Sequence, residues 1–191
     1  MRSVGSCIIV ISLFFSVSSC DLFSPRKSEI PTRISSSFQP PITPEIVVQN
    51  FKTAIREHNV DNYMRCFIDT MVSSKNFIFT PSSNLQSIIV NWNLDDERKY
   101  FQNLGEPVLG VSYLDLYDST KEFISSNVTG LKMKYFLDYP HQYDILPKNA
   151  RGYMQLYLEM DTKQRWAIYK WDDLKTDTDS TWSFLKYRFA Y

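Results

Sequence analysis

Ala150-Arg-Gly-Tyr-Met-Gln-Leu-Tyr-Leu-Glu-Met160-Asp-Thr-Lys-Gln-Arg-Trp-Ala-Ile-Tyr-Lys-Trp171-Asp-Asp173 is the stretch on which the fold turns. Met154, Leu156, Leu158 and Met160 fall on one side of an extended chain, and Tyr153, Gln155, Tyr157 and Glu159 on the other. A period of two is the mark of a strand with one buried face. Asp161-Thr-Lys-Gln164 is short and polar enough to reverse the chain, and Trp166 to Trp171 is rich in strand-forming residues. The expectation is an antiparallel hairpin whose apolar face needs a cover.

Upstream, the same period runs through Val128 to Tyr139, where Leu131, Met133, Tyr135, Leu137 and Tyr139 alternate with Lys132, Lys134, Phe136 and Asp138. Val108 to Tyr117 reads as a further strand, and Asp118 to Asn127 as the connection between the two. The cover comes from helices nearer the start. Thr43 caps a helix with Pro44 at its first position and Glu45 at the positive end of the dipole. Val47, Phe51, Ala54, Ile55 and His58 share one face of it, while Gln49, Lys52, Arg56 and Glu57 point away. Val60 to Ile68 predicts a shorter helix with Tyr63, Met64 and Phe67 buried. Asn76 to Thr80 predicts a short strand, stopped by Pro81. Asn93 caps a third helix with Leu94, Phe101 and Leu104 as its stripe, and Gly105 and Pro107 end it. Asp179 to Lys186 predicts a single closing turn of helix.

The chain has 191 residues, 43% of them hydrophobic and 15% aromatic, enough for one domain with a core. Lys and Arg number 21 and Asp and Glu 21, a balance that argues against a nucleic-acid binder. Residues 1–19 stand apart. Arg2 precedes an apolar run from Cys7 to Val17, shorter than the roughly 20 residues a membrane span needs. The run ends in Val17-Ser18-Ser19-Cys20, which resembles the lipobox of bacterial lipoproteins. That resemblance implies cleavage before Cys20, lipidation of Cys20, and a mature protein held to a membrane of the cell envelope, inner or outer. Cys66 is then left without a disulfide partner and reads as a small buried hydrophobe. Residues 20–43, with Pro25, Pro31, Pro40, Pro41 and Ser35-Ser36-Ser37, read as a flexible tether, and residues 44–191 as a single domain.

The order of helix, helix, short strand, helix and four long antiparallel strands describes an α+β domain in which a bent sheet packs over three helices. The order, together with Trp166-Ala-Ile168-Tyr-Lys-Trp171-Asp172, a polar loop, Thr181-Trp182-Ser183-Phe184-Leu185-Lys186 and Phe189, resembles the cone-shaped nuclear transport factor 2-like (SnoaL-like, cystatin-like) superfamily and small bacterial lipoproteins of that fold. The superfamily holds isomerases and dehydratases beside domains with no chemistry, so the fold alone decides no activity. Asp115 shares strand parity with Val111, Tyr113 and Tyr117 and is the candidate for a base inside the cone, with Tyr113 or Tyr135 as its hydroxyl partner. Phe51, Tyr63, Trp92, Phe101, Tyr113 and Trp166 are candidates to line a pocket. His141, in a loop beside Pro140, is expected in solvent. No metal-ligand spacing and no cofactor motif is present.

The expectation is therefore a membrane-anchored, non-catalytic envelope domain that binds a small apolar or amphipathic ligand or another envelope protein. The alternatives are an isomerase- or dehydratase-like enzyme and a scaffold component of an envelope complex. The oligomeric state, a dimer included, is open.

Overall fold

The computed structural model describes residues 37–108 and 110–191, so the apolar leader, Cys20 and most of the tether lie outside the described residues. In chain order the elements are α1 (Pro44–Arg56), α2 (Val60–Met64), β1 (Ile78–Thr80), α3 (Leu94–Leu104), β2 (Tyr113–Ser125), β3 (Val128–Asp138), β4 (Asn149–Met160), β5 (Trp166–Leu174) and α4 (Trp182–Ala190). The sheet runs β1-β5-β4-β3-β2; it is curved and open, antiparallel except for the parallel pairing of β1 with β5.

The hairpin of the opening stretch forms as expected, with Leu156 opposite Trp171 and Leu158 opposite Ile168, all fully buried. Helix starts also follow local chemistry. The Thr43 hydroxyl accepts from the Ile46 amide, and Asn93 with Asp96 forms a reciprocal capping box. Gly105 closes α3 at a φ of 70°, a left-handed conformation that costs a glycine little.

Four expectations change. Val108, Gly110 and Val111 are not strand: Val108 and Val111 are exposed, and β2 starts at Tyr113 and runs on through the polar residues expected to be a connection. That segment has no apolar period to betray it; it is held by its ladder to β3, with irregularities after Tyr117 and Phe123. Helix α2 ends at Met64, because Cys66 to Ile68 turn to bond the edge of β5 at Ile168. Helix α4 spans nine residues rather than one turn, since its apolar side packs against α3. Finally, the ordered fold starts before residue 43. Asn50, 2% exposed, pairs its side-chain amide with both the N–H and the carbonyl of Gln39, and the Pro41 carbonyl accepts from the Trp166 amide. Residues 37–42 are thus a strap across the domain.

Candidate functional site

The interior of the cone is where the fold would keep a reactive group, and three of its elements carry charge there. On α3, Leu94, Glu97, Phe101 and Leu104 share one stripe, so Glu97 sits where an apolar residue is expected. On α4, Trp182, Lys186 and Phe189 do the same with Lys186. On β5, the period of two that buries Trp171 also buries Asp173. Glu97 and Lys186 are both fully buried and meet at 2.6 Å.

Every oxygen of Glu97 is engaged. Tyr63 donates to Oε1 at 2.6 Å, and Trp92 Nε1 at 2.7 Å and Lys186 Nζ donate to Oε2. The Lys186 ammonium also lies over Phe79 and Trp171, 3.7 and 3.8 Å from the ring centres. Burial lowers the Lys186 pKa to about 8, against the pull of Glu97 in the other direction. Asp173 accepts from Tyr135 at 2.7 Å and from the Ser183 amide and hydroxyl, while the Tyr135 hydroxyl itself accepts from the Trp182 amide. Burial raises Asp173, and these donors oppose the rise. Tyr135 reaches that position only because residue 152 is a glycine: a Cβ there would stand 2.9 Å from its hydroxyl oxygen and 2.7 Å from the Leu174 carbonyl.

The aromatic residues fill what remains. Tyr63 stacks on Phe101 at 4.0 Å, Phe51 packs edge-on to Trp171, and Trp182 meets both Trp171 and Tyr135. Of the six residues read as pocket-lining, Phe51, Tyr63, Trp92 and Phe101 are buried against one another in this core. Burial pushes the Tyr63, Tyr100 and Tyr135 hydroxyls well above their ordinary range, so all three stay protonated at neutral pH; Tyr63 and Tyr135 donate to the two carboxylates, while Tyr100 accepts from Trp182 Nε1. Cys66 is buried as expected; its thiol donates to the Asn62 carbonyl, and desolvation raises its pKa.

Asp115 is not part of this interior. Leu114 and Leu116 are the inward residues of β2, opposite Leu137 and Tyr135, so Tyr113 and Asp115 stand on the outer face with Tyr113 56% exposed. The earlier parity took its origin from Val111, which lies outside the strand. His141 is also corrected: it is 1% exposed, accepts from the Tyr143 amide at Nδ1, bonds the Pro147 carbonyl through Nε2, and packs on Phe189. Glu97, Lys186 and Asp173 went unread in the sequence, although a charged residue in each of two apolar helical stripes was a signal.

Openings at the surface of the described residues include a groove and a cleft. A groove of about 400 Å³ runs between the end of the β4–β5 hairpin, α2 and the strap, and Trp166 lines it. Its guanidinium groups already have partners: Arg98 meets Asp61, Arg165 meets Asp161, and Arg65 lies 3.8 Å over Phe38. A second cleft, of about 330 Å³, separates α1 from the β2–β3 arm of the sheet. Among the described residues no three metal-ligating side chains cluster, and no helix is long and apolar enough to cross a membrane.

Helices against the concave side of an open sheet ordered β1-β5-β4-β3-β2 match a known architecture. A candidate scytalone dehydratase of Novosphingobium aromaticivorans superposes with a TM-score of 0.53 at 9% identity, over 67% of this chain and 78% of that one. A candidate dehydratase of the nuclear transport factor 2-like family from Streptomyces avermitilis gives 0.52 at 6% identity, over 70% and 94%. A candidate calcium/calmodulin dependent protein kinase II association domain of Xanthomonas campestris gives 0.52 at 10%, over 70% and 85%. The fold is nuclear transport factor 2-like. At such identities the likeness concerns the nuclear transport factor 2-like fold alone, and the neighbours include both enzymes by name and an association domain. No protein-family model and no curated protein matches the sequence.

Proposed function

We propose that the chain is an exported envelope domain, lipidated at Cys20 and held to the membrane by residues 21–36, that works by binding rather than by chemistry inside its cone. The observation that carries this reading is the occupied interior. A general acid or base must come within hydrogen-bond reach of a substrate, whereas Glu97 and Asp173 are spent on internal donors and walled by aromatic rings. The lipobox-like Val17-Ser18-Ser19-Cys20 supports the anchor, and the strap at residue 37 gives the tether a defined point of entry into the domain. The partner is a small amphipathic ligand or another envelope protein. A scaffold role is the second reading, favoured by the exposed tyrosines Tyr113 and Tyr117 on the outer sheet face.

Carbodiimide labelling of native protein with an amine, read by peptide mass spectrometry, tests the occupied interior. Glu45 and Asp69 are expected to be modified, and Glu97 and Asp173 to be spared until the protein unfolds. Modification of Glu97 or Asp173 in the native state would restore the dehydratase- or isomerase-like reading. Fatty-acid labelling of wild type, lost in Cys20→Ala, tests the anchor; equal labelling of both would remove it.

A further inference from the structure

Glu45, Val48, Gln49 and Lys52 recur at i, i+3, i+4 and i+7 on α1, a flank of the helix distinct from the Val47–Phe51–Ala54–Ile55 face that closes the cone. This flank faces the concave side of β2 and β3, where Leu116, Leu131 and Met133 point inward, Leu131 and Met133 buried and Leu116 half-buried. The result is the cleft of about 330 Å³, with an apolar floor and a polar rim. Such a volume lies at the small end of the range for small-molecule sites, which pair apolar walls with a few orienting polar groups.

The charges at the rim are not balanced. Lys121 meets Glu45 at 2.8 Å, with both side chains more than half exposed, a surface pair that water and a competing anion can readily exchange. Lys52 lines the same rim, and among the described residues its ammonium has no hydrogen-bond or ion-pair partner. Two cations therefore face one carboxylate across an apolar floor. Beyond the cleft, Phe123 lies on the same side of β2 as Lys121 and is 79% exposed, which lengthens the apolar track.

We propose that this cleft binds a medium-chain carboxylate, with its alkyl chain along Leu116, Leu131 and Met133 and its head group between Lys52 and Lys121. The proposal names a cleft beside the outer flank of α1, apart from the Glu97–Lys186 and Asp173 interior, and does not depend on the anchor, so its failure leaves the occupied-interior reading standing, just as labelling of Glu97 would overturn that reading and leave the cleft untouched.

The test uses the full chain carrying Cys20→Ala, titrated calorimetrically with decanoate below its micelle concentration. Decyltrimethylammonium supplies the same chain with the opposite charge, and phosphatidylglycerol vesicles supply an anionic surface. Decanoate is expected to bind saturably, at least about tenfold tighter than decyltrimethylammonium. Val48→Trp, on the half-buried flank, fills the cleft and should abolish binding at an unchanged melting temperature; Lys52→Glu should weaken it about tenfold. Absence of saturable binding, equal binding of the two amphiphiles, or full binding by a folded Val48→Trp variant would each overturn the site. Retention on vesicles without binding of monomeric decanoate would also overturn it, in favour of a surface that docks on membranes.

Discussion

The two faces of the sheet hold lysines against aromatic rings in opposite settings. Inside, Lys186 is fully buried between Phe79 and Trp171 and bonded to Glu97. Outside, Lys132 lies 5.5 Å from the Tyr153 ring and Lys170 4.7 Å from the Tyr157 ring, both at the solvent boundary. The contact type is shared, but the reference state is not. A surface ammonium keeps its water whether or not it touches a ring, whereas Lys186 has given up its hydration entirely and relies on what surrounds it. The difference teaches where this fold is brittle: the inner pair cannot lose one member cheaply, and the outer contacts can.

The largest break in that comparison should come from Lys186→Met. Removing the ammonium leaves Glu97 buried without its counter-charge, a change that costs about 3–5 kcal/mol. Adding Glu97→Gln should recover much of the loss, because the pair would then be neutral on both sides. Chemical denaturation of the two variants measures this; a single variant as stable as wild type would mean that the interior is wetter than its geometry implies.

How much of this was legible follows from the range of the interactions. The hairpin at residues 150–173, the caps at Thr43 and Asn93 and the period of β3 all rest on neighbours a few residues apart, and they formed as read. The extent of β2 was hidden because Asp118 to Ser125 presents no apolar period and becomes strand only through its partner β3. His141 is buried by Phe189, a residue 48 positions away in the chain. Glu97 and Lys186 are 89 residues apart, and each alone reads as a misplaced surface charge; only their meeting explains both.

A smaller break is expected at the strap. A chain starting at Thr43 lacks the two bonds from Gln39 to Asn50 and the Pro41 bond to Trp166. Loss of about 1–3 kcal/mol follows, relative to a chain starting at Ser37, and several degrees in melting temperature. Equal melting of the two would show that the strap merely rests on the domain.

The histidines set the pH response. Burial lowers the pKa of both His58 and His141 below the ordinary 6.5. The unfolded chain then binds more protons than the folded one below that value, so the stability they contribute is complete above about pH 6.5 and is lost as pH falls through it. Replacing both, His58→Gln with His141→Gln, should flatten the fall in unfolding free energy between pH 6.5 and the lower folded values. An unchanged slope would assign the response to other groups.

The smallest effect belongs to the outer face. Lys132→Met removes a cation from beside Tyr153 but leaves no buried charge behind, since the side chain is exposed and nothing inside depends on it. The cost should stay within about 0.5 kcal/mol, and Tyr153→Leu should change stability by the same amount whether Lys132 is present or not. A coupling between the two above about 1 kcal/mol in a double-mutant cycle would place Lys132 in the same class as Lys186. That outcome would require the outer face to be covered, and the cover most consistent with it is a partner seated on the sheet, as the scaffold reading demands. A small coupling in the isolated protein that grows when an envelope extract is added would locate that partner on the same face.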